Sequence, residues 1–394
     1  MAVFRAFQEN QPEAHLEKSY ESLRKFGYAL FAQNINGENP LLSPVSAYLA
    51  LSMAGCGADG TTKEEFYKVL GRGMMVLTID MMNTVPSEGD LLNISFANSA
   101  WIYDKLSLND TWVSAIKCLM NAEVFQTQLS AVETMKIINH WISVKTNGLI
   151  KQVLEEPLDP LTRIALFNTV CFKGSWVFPF EPYGTHREAF YLNKEQNVTV
   201  QADMMSMCER VPGRALEYIS DNFTEGVILP YMSERGNSRN IAFIALKPKG
   251  NSNIRNICSR WTSGVIKNLL AGRQKMEIEL KLPRFRITFD RILNRSLANM
   301  GLLRCFDMKR ADFARISRKA RSGDTLYLNL VGQSAMITVD EEGTEAAAAT
   351  ELLAPLSLWQ PQKKLYFNEP FLYMIMDMDK EIPLFIGILD NPEA

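Results

Sequence analysis

Residues 343–350 read Gly343-Thr344-Glu345-Ala346-Ala347-Ala348-Ala349-Thr350. Four consecutive alanines favour a helix when they are considered alone. With a period of two, however, the even-numbered residues from Thr344 to Ala354 are all small or apolar, and Glu345 and Glu351 fall on the opposite face. This alternation is typical of a strand with one buried face. The buried side chains are mostly small, so such a strand could enter a sheet that is already packed.

The sequences around this stretch resemble those of a known family. Residues 341–349, which read EEGTEAAAA, resemble the hinge of inhibitory serpins. Residues 367–372 (FNEPFL) and 385–387 (FIG) resemble the serpin C-terminal signature, and residues 39–46 resemble serpin helix B. The resemblance covers essentially residues 30–392, without an internal repeat or a long linker.

Composition excludes several classes of function. The chain has 394 residues, of which 47% are hydrophobic, and a net charge of −2. This apolar fraction is ample for a large core, and the near-balanced charge gives no pull toward nucleic acid or acidic lipid. We find no run of about 20 apolar residues that would predict a membrane span. Neither nucleic acid nor a membrane is therefore expected as a partner.

The N-terminus lacks a basic segment followed by an apolar one, so no signal peptide is predicted. We expect a cytoplasmic or unconventionally secreted protein, or an extracellular one if a leader was removed. Without an export signal, the five N-glycosylation sequons are interpreted as coincidental. The six cysteines are scattered and form no CxxC pair, which predicts free and mostly buried thiols.

Hydrophobic periodicity predicts helices over residues 13–36, 110–121 and 134–154, and a buried helix that follows Ser43 as N-cap and Pro44. Strands are predicted over residues 93–103 and 281–287. The near-continuous apolar run of residues 164–176 predicts a strand buried on both faces. Within it, Asn168 is a buried polar residue that must find hydrogen-bond partners.

Enzymatic and ligand-binding alternatives have little support. None of the three histidines, His15, His140 and His186, lies in a hydrolase motif, so no enzyme is predicted. The GxGxxG match at residues 55–60 follows a helical pattern, which favours a helix-ending turn over a phosphate site. The acidic residues 340–342 favour a solvated strand end over a metal site. The basic stretch 304–321 favours a solvated loop over a polyanion site, and no cofactor or metal is expected.

The resemblance implies an α+β serpin fold. It implies a single domain over residues 1–394, with a large mixed central sheet A, two further sheets, about eight to nine helices and an exposed reactive-centre loop at about 341–363. It also implies functional positions. The hinge comprises Glu341, Glu342, Gly343, Thr344, Glu345, Ala346, Ala347, Ala348, Ala349 and Thr350.

Further positions implied by the resemblance lie in sheet A. Trp176 is expected under the place where the loop inserts, and Asn168, Ser43, Ser46 and Gln333 are expected to hold the middle of the sheet closed. Serpins usually have a histidine where this chain has Gln333. Because a glutamine side chain both donates and accepts, bonds from it to Asn168 and Ser43 remain feasible.

In an inhibitory serpin a protease cleaves the loop, and the loop then inserts as a strand of sheet A. Local chemistry favours cleavage between Leu356 and Ser357. Counting from the hinge gives Ser357 as the P1 residue, and counting back from Phe367 points to Trp359. Leu358 and Trp359 are therefore kept as alternative residues of the reactive bond. Residues 346–361 contain no Arg, Lys or Asp, which disfavours trypsin-like proteases and caspases.

The sequence therefore predicts a monomeric inhibitor that forms a covalent complex with a serine protease of elastase-, proteinase 3- or chymotrypsin-like specificity. Two alternatives remain open. One is a non-inhibitory storage, chaperone or carrier serpin, and the other is an inhibitor of a cysteine cathepsin.

Overall fold

The computed structural model describes residues 13–85, 91–207, 215–233, 239–250, 252–317, 326–344 and 360–393. These residues form an α+β fold with three sheets and nine α-helices, as predicted. The helices are α1 (Glu13–Asn34), α2 (Pro44–Gly57), α3 (Gly60–Leu70), α4 (Met74–Thr84), α5 (Asp110–Met120), α6 (Val132–Lys145), α7 (Ile254–Cys258), α8 (Ser263–Ala271) and α9 (Asn294–Asn299).

The strands are numbered in chain order. They are β1 (Leu41–Leu42), β2 (Leu92–Tyr103), β3 (Ala122–Thr127), β4 (Ile164–Ser175), β5 (His186–Asn193), β6 (Val198–Met207), β7 (Leu216–Ser220), β8 (Thr224–Pro230), β9 (Ile241–Pro248), β10 (Gln274–Met276), β11 (Ile278–Pro283), β12 (Phe285–Ile292), β13 (Leu328–Val339), β14 (Gly343–Thr344), β15 (Lys363–Tyr366), β16 (Phe371–Asp377) and β17 (Ile382–Leu389).

Sheet A has the strand order β12-β13-β4-β2-β3, and β14 pairs with the end of β4. It is mixed, as predicted, because β13–β4 and β2–β3 are parallel whereas β12–β13, β2–β4 and β14–β4 are antiparallel. The apolar run that predicted a strand buried on both faces forms β4. Its first seven residues are all buried, since helix α6 covers one face and the main core lies behind the other.

Sheet B has the antiparallel order β1-β17-β16-β9-β8-β7-β10, and sheet C has the order β15-β11-β6-β5. Residues 281–287, which were predicted as one strand, are divided between two sheets. Pro283 ends β11 in sheet C and Phe285 begins β12 in sheet A. Between them, the N–H group of Arg284 donates to the carbonyl oxygen of Asp203 in β6 (2.8 Å), so the chain passes from sheet C to sheet A directly after this bond.

Helix α2 is buried at every position except Cys56. The Ser43 side chain accepts a hydrogen bond from the Ser46 N–H group (3.3 Å), and Pro44 is the first helical residue, which confirms the predicted helix start. Gly55 and Gly57 lie in the last turn of α2. The GxGxxG match therefore follows a helix, as predicted, and not the strand that a dinucleotide site needs.

Helix α6 is shorter than the predicted helix 134–154, because it ends at Lys145. Asn147 and Gly148 have φ angles of 50° and 77°, in the left-handed region that ends a helix. Ile150 and Leu154 remain buried, and they pack in the same apolar cluster as Ile138 of α6. Because these residues are buried, the apolar pattern continues beyond the end of the helix, and the predicted helix was therefore too long.

None of the five described cysteines forms a disulfide bond, as predicted, but only two of them are buried. Cys258 and Cys305 are buried, Cys56 and Cys171 are intermediate, and Cys118 is exposed. In the part of the chain that the structure describes, no helix has the length and hydropathy needed to cross a membrane.

Candidate functional site

The described part of the hinge is a tight turn at the end of β13. The N–H group of Asp340 donates to the carbonyl oxygen of Gly343 (3.0 Å), which closes a two-residue connection through Glu341 and Glu342. The Asp340 carboxylate oxygen Oδ1 accepts hydrogen bonds from the N–H groups of Glu342 and Gly343, both at 3.0 Å. Residues 340–342, predicted as a solvated strand end, thus form the turn that reverses the chain.

Strand β14 continues from this turn and lies antiparallel to the end of β4. Gly343 is opposite Ser175, and Thr344 is opposite Gly174. The two backbones approach so closely that a Cβ atom on Gly343 would be 2.0 Å from the carbonyl oxygen of Gly174. Glycine is therefore required here because no side chain fits between the two strands.

The strands that flank β14 separate to receive it. Strands β13 and β4 pair in parallel from Leu328 and Ile164 up to Ala335 and Val170. Beyond this point β13 continues to Val339 and β4 continues to Ser175 without pairing to each other. We call the paired part the seam and the unpaired part the gap, and β14 occupies the top of the gap.

Trp176 lies beneath the hinge and is 1% exposed. Its indole N–H donates to the Asp340 carbonyl oxygen (3.0 Å), and its backbone N–H donates to the Glu342 carbonyl oxygen (2.9 Å). The indole ring stacks on Tyr231, with ring centroids 4.5 Å apart. The Tyr231 hydroxyl in turn is hydrogen-bonded to the fully buried Thr344 hydroxyl (2.7 Å). Burial raises the pKa of Tyr231 well above its usual value, so the hydroxyl stays protonated.

Glu341 attaches the hinge to the neighbouring sheets. Its carboxylate oxygen Oε1 accepts hydrogen bonds from Arg284 and Thr185, both at 2.5 Å, and its carbonyl oxygen accepts one from the Phe180 N–H group (2.8 Å). Burial by itself raises the pKa of Glu341, but the bonds from Arg284 and Thr185 outweigh it and lower the pKa overall. Burial also raises the pKa of Asp340, against the opposing effect of its two N–H donors.

Gln333 joins the seam to the start of helix α2 through Ser43. Its Oε1 atom accepts a hydrogen bond from the Ser43 N–H group (3.0 Å), and its Nε2 atom donates to the Ser43 carbonyl oxygen (2.8 Å). Asn168 is the Cα partner of Gln333 in the seam, but the Asn168 side chain donates to Asn98 Oδ1. Of the two bonds that the sequence left feasible, the one to Ser43 is therefore present, whereas the Asn168 side chain bonds to Asn98 and not to Gln333.

Three buried oxygens around the seam have no hydrogen-bond partner among the described residues. They are Asn168 Oδ1, Ser46 Oγ and Thr169 Oγ1. Buried polar groups are nearly always hydrogen-bonded, so these three oxygens are exceptions. The closed seam could therefore accept further hydrogen bonds at these positions. Ser46 is fully buried, and its backbone N–H binds the Ser43 cap.

Several predicted site residues lie outside the described residues. These are the hinge residues Glu345, Ala346, Ala347, Ala348, Ala349 and Thr350 and the candidate cleavage residues Leu356, Ser357, Leu358 and Trp359. Sequence reasoning gave no site role to Tyr231, Arg284, Thr185 or Asn98. Each contacts the site from 57 or more residues away along the chain, so no local pattern marks it.

The other candidate sites have structural explanations. In the basic stretch, Arg304 pairs with Glu65 (3.6 Å), Arg310 with Asp307 (2.5 Å) and Arg315 with Asp59 (3.2 Å), which partly neutralises it. Lys319 and its neighbours lie outside the described residues. His140 is exposed on α6. Among the described residues, no group of three or more histidine, cysteine or acidic side chains could hold a metal ion.

Comparison with known proteins gives a consistent answer. A family model described as "Serpin (serine protease inhibitor)" matches residues 21–392. An uncharacterized serpin-like protein of Thermococcus kodakarensis is 30% identical over 373 residues, which cover 91% of this chain and 82% of that protein. Iripin-3 of Ixodes ricinus is 30% identical over 367 residues, covering 90% of this chain and 89% of that protein.

Solved structures share the fold. The thermophilic serpin tengpin in its native state has a TM-score of 0.85 and 26% identity, covering 97% of this chain and 95% of that one. Human thyroxine-binding globulin, solved with its hormone, has a TM-score of 0.83, and at 24% identity it supports the fold alone. Serpins are generally protease inhibitors rather than enzymes, although some are non-inhibitory. This chain belongs to the serpin family.

Proposed function

We propose that this serpin is a suicide-substrate inhibitor that traps a serine protease by inserting its cleaved loop into sheet A. The single observation that carries the proposal is the position of Thr344, which is fully buried in a strand that already pairs with β4. The first two residues of the insertion are thus in place before any cleavage.

The register of β14 favours further insertion. If the strand grew with the same register, Ala348 would lie between Val170 and Ala335, which now pair with each other at the top of the seam. Thr350 would lie between Asn168 and Gln333. Because alternate residues share a face, the residues that follow Thr344 on its buried face would be Ala346, Ala348 and Thr350. Their small side chains need little displacement of the core.

The length of the loop also fits. In this register Ala354 would lie opposite Ile164, the first residue of β4, and Pro355 would fall beyond the strand. Proline cannot donate to a strand ladder, so it belongs outside the sheet. Twelve residues, 343–354, would then span roughly 40 Å at about 3.3 Å per residue. An enzyme attached just after them would be carried along the whole of β4.

The chemistry requires only the protease's own serine. Its oxygen would attack the carbonyl carbon of Leu356, the amide bond to Ser357 would break, and the new α-amino group would leave with the proton. The loop would remain joined to the protease through an ester. Inhibition needs insertion to be faster than hydrolysis of that ester. Small inward side chains should make insertion faster. Residues 346–361 also contain the apolar residues that an elastase-, proteinase 3- or chymotrypsin-like enzyme accepts as P1.

The test is incubation of the monomeric protein with pancreatic elastase, neutrophil elastase, proteinase 3, chymotrypsin, trypsin and cathepsin L. We expect a complex stable in SDS with at least one elastase- or chymotrypsin-like enzyme and none with trypsin. Complexes with cathepsin L alone would mean that the target is a cysteine cathepsin and not a serine protease. Cleavage of the loop without any complex would support the non-inhibitory alternative and overturn the proposal.

Two further measurements identify the cleaved bond and test whether the loop inserts. Mass spectrometry of the released C-terminal peptide should give a new N-terminus at Ser357, and Trp359 would indicate the alternative bond. Cleavage should also raise the melting temperature sharply, because the inserted strand gains ladder hydrogen bonds and buried area. An unchanged melting temperature would contradict insertion.

A further inference from the structure

The turn between β13 and β14 lacks the features that normally stabilise a two-residue hairpin. Such connections favour type I′ or II′ geometry, with positive φ angles and sequences such as Asn-Gly. Here the two residues are Glu341 and Glu342, and neither has a positive φ angle. Turns without positive φ angles tend to splay the flanking strands. In addition, three consecutive carboxylates, at 340–342, repel one another.

Glu341 and Glu342 also bond to neighbouring elements, whereas the reversal of the chain within the turn itself is held by Asp340. Its carboxylate binds two consecutive N–H groups, and its own backbone N–H closes the turn on Gly343. Its carbonyl oxygen accepts the Trp176 indole N–H (3.0 Å), which fixes the turn over the top of the gap. Asp340 therefore ends β13, closes the turn that reverses the chain, and bonds this turn to Trp176 below it.

We propose that Asp340 is a positioning residue for loop insertion: its carboxylate keeps the hairpin of β13 and β14 closed as a nucleus from which the cleaved loop extends along β4. This inference rests on the proposed function. In helix formation the first hydrogen-bonded turn is costly, whereas adding a residue to it is fast, and we take the same order for a strand that enters a sheet. A nucleus that exists before cleavage gives insertion an advantage over hydrolysis of the acyl bond.

The pH dependence provides a readout that a simple structural role would not change. The charged and titratable groups around Asp340 are Glu341 and Glu342 in the same turn, Arg284 between β11 and β12, and Tyr231 after β8. A protonated carboxyl is a weaker acceptor than a carboxylate. Acidification should therefore loosen the turn in the native protein and shift the outcome from covalent complex toward cleaved inhibitor.

The measurement is the ratio of cleaved inhibitor to covalent complex after reaction with a target enzyme. For Asp340→Ala we expect this ratio to rise about tenfold, which corresponds to about 1.4 kcal/mol in the barrier to insertion. The rate of the first cleavage should not change, because the cut lies far along the chain from the turn. Asp340→Asn keeps an acceptor oxygen, so it should restore most of the yield at pH 7.5 and abolish the extra pH dependence.

Asp377 supplies a matched control. Its Oδ1 atom accepts hydrogen bonds from the N–H groups of Asp379 and Lys380, both at 3.0 Å, in the hairpin between β16 and β17. Asp377→Ala should lower the melting temperature and leave the ratio unchanged. If the native protein forms complexes and Asp340→Ala partitions as the native protein does, the positioning role is wrong.

Two other outcomes are informative. If the native protein forms no complex, the proposed function itself fails. If Asp340→Ala does not fold, Asp340→Asn still decides the question, because an Asn variant whose ratio changes with pH as much as the native ratio contradicts the role of the carboxylate.

Discussion

Two hairpins of this molecule begin with an aspartate that caps the turn. In sheet B, Asp377 precedes a connection in which Glu381 has a φ angle of 53°, and β16 and β17 pair from Asp377–Ile382 to Phe371–Leu389. In sheet A, Asp340 performs the same local task, but β14 contains only two residues. The aspartate cap is alike in both turns, but the turn after Asp340 has no residue with a positive φ angle. The space beside each strand differs as well, because β17 pairs with β16 along its length, whereas an extended β14 would meet the pairing of β13 with β4.

If the loop inserts as proposed, the short hairpin is the beginning of a strand addition that stops where β13 pairs with β4. Its next residues would have to replace the hydrogen bonds between Val170 and Ala335. In the intact chain the other end of the loop is held at β15, which pairs with β11, so the loop is tethered at both ends. Cleavage would remove this tether. The following substitutions test the two hairpins against each other.

The largest effect is expected for Thr344→Arg. Thr344 is fully buried against Tyr231, and an arginine there would place an unpaired charge in the core or force β14 out of the gap. We expect conversion from inhibitor to substrate, with complete cleavage and almost no SDS-stable complex. A normal yield of complex would show that residue 344 need not enter the sheet.

Gln333→Leu tests the seam that blocks the short hairpin. Removal of the amide leaves the buried Ser43 N–H group without a partner, whereas the Ser43 carbonyl oxygen keeps its bond from the Ala47 N–H group (3.1 Å). The loss should cost about 1–3 kcal/mol of unfolding free energy. Urea denaturation measures the loss, and Gln196→Leu in an exposed turn is the control. Equal stability of the two variants would mean that the Gln333 bonds are replaceable.

A pair of glycine substitutions separates function from stability. Gly343→Ala places a Cβ atom 2.0 Å from the Gly174 carbonyl oxygen, and Gly387→Ala places one 2.5 Å from the Tyr373 hydroxyl. The second should lower the unfolding free energy by about 1–3 kcal/mol through overpacking of the finished hairpin. The first should scarcely change the melting temperature but raise the fraction of cleaved inhibitor. If both variants lost similar amounts of stability, β14 would unfold together with the rest of the core, and the expected separation of function from stability would be wrong.

The smallest effect is expected for Glu341→Gln, which weakens the bonds to Arg284 and Thr185. The Arg284 side chain is 48% exposed, so solvent screening should limit the loss to about 1 kcal/mol at pH 7. The pKa of Glu341 is lowered in the folded state. Its contribution is therefore present above the unfolded pKa of about 4.3 and is lost as the pH falls through the folded value. A stability difference that persists at pH 3 would contradict this assignment.

Sequence patterns predicted much of the fold and only part of the site. The apolar run of β4 and the Ser43-Pro44 helix start act locally, and both appear as predicted. The end of α6 at Lys145 was missed, because Ile150 and Leu154 stay buried after the Asn147-Gly148 turn. The partner of Asn168 was missed too, since Asn98 reaches it only through strand pairing across 70 residues.

The Trp176 indole has an optical consequence. Its N–H group is bonded to the Asp340 carbonyl, and its ring lies on Tyr231 beneath Thr344, so growth of the adjacent strand would alter its surroundings. Indole emission responds to such changes in polarity and contact. If the cleaved loop inserts as proposed, the fluorescence of Trp176 would report the insertion. The chain has six tryptophans, so the Trp176 signal would be isolated by subtracting the spectrum of Trp176→Phe. Stopped-flow mixing with a target protease would then time insertion separately from bond cleavage, without an added dye.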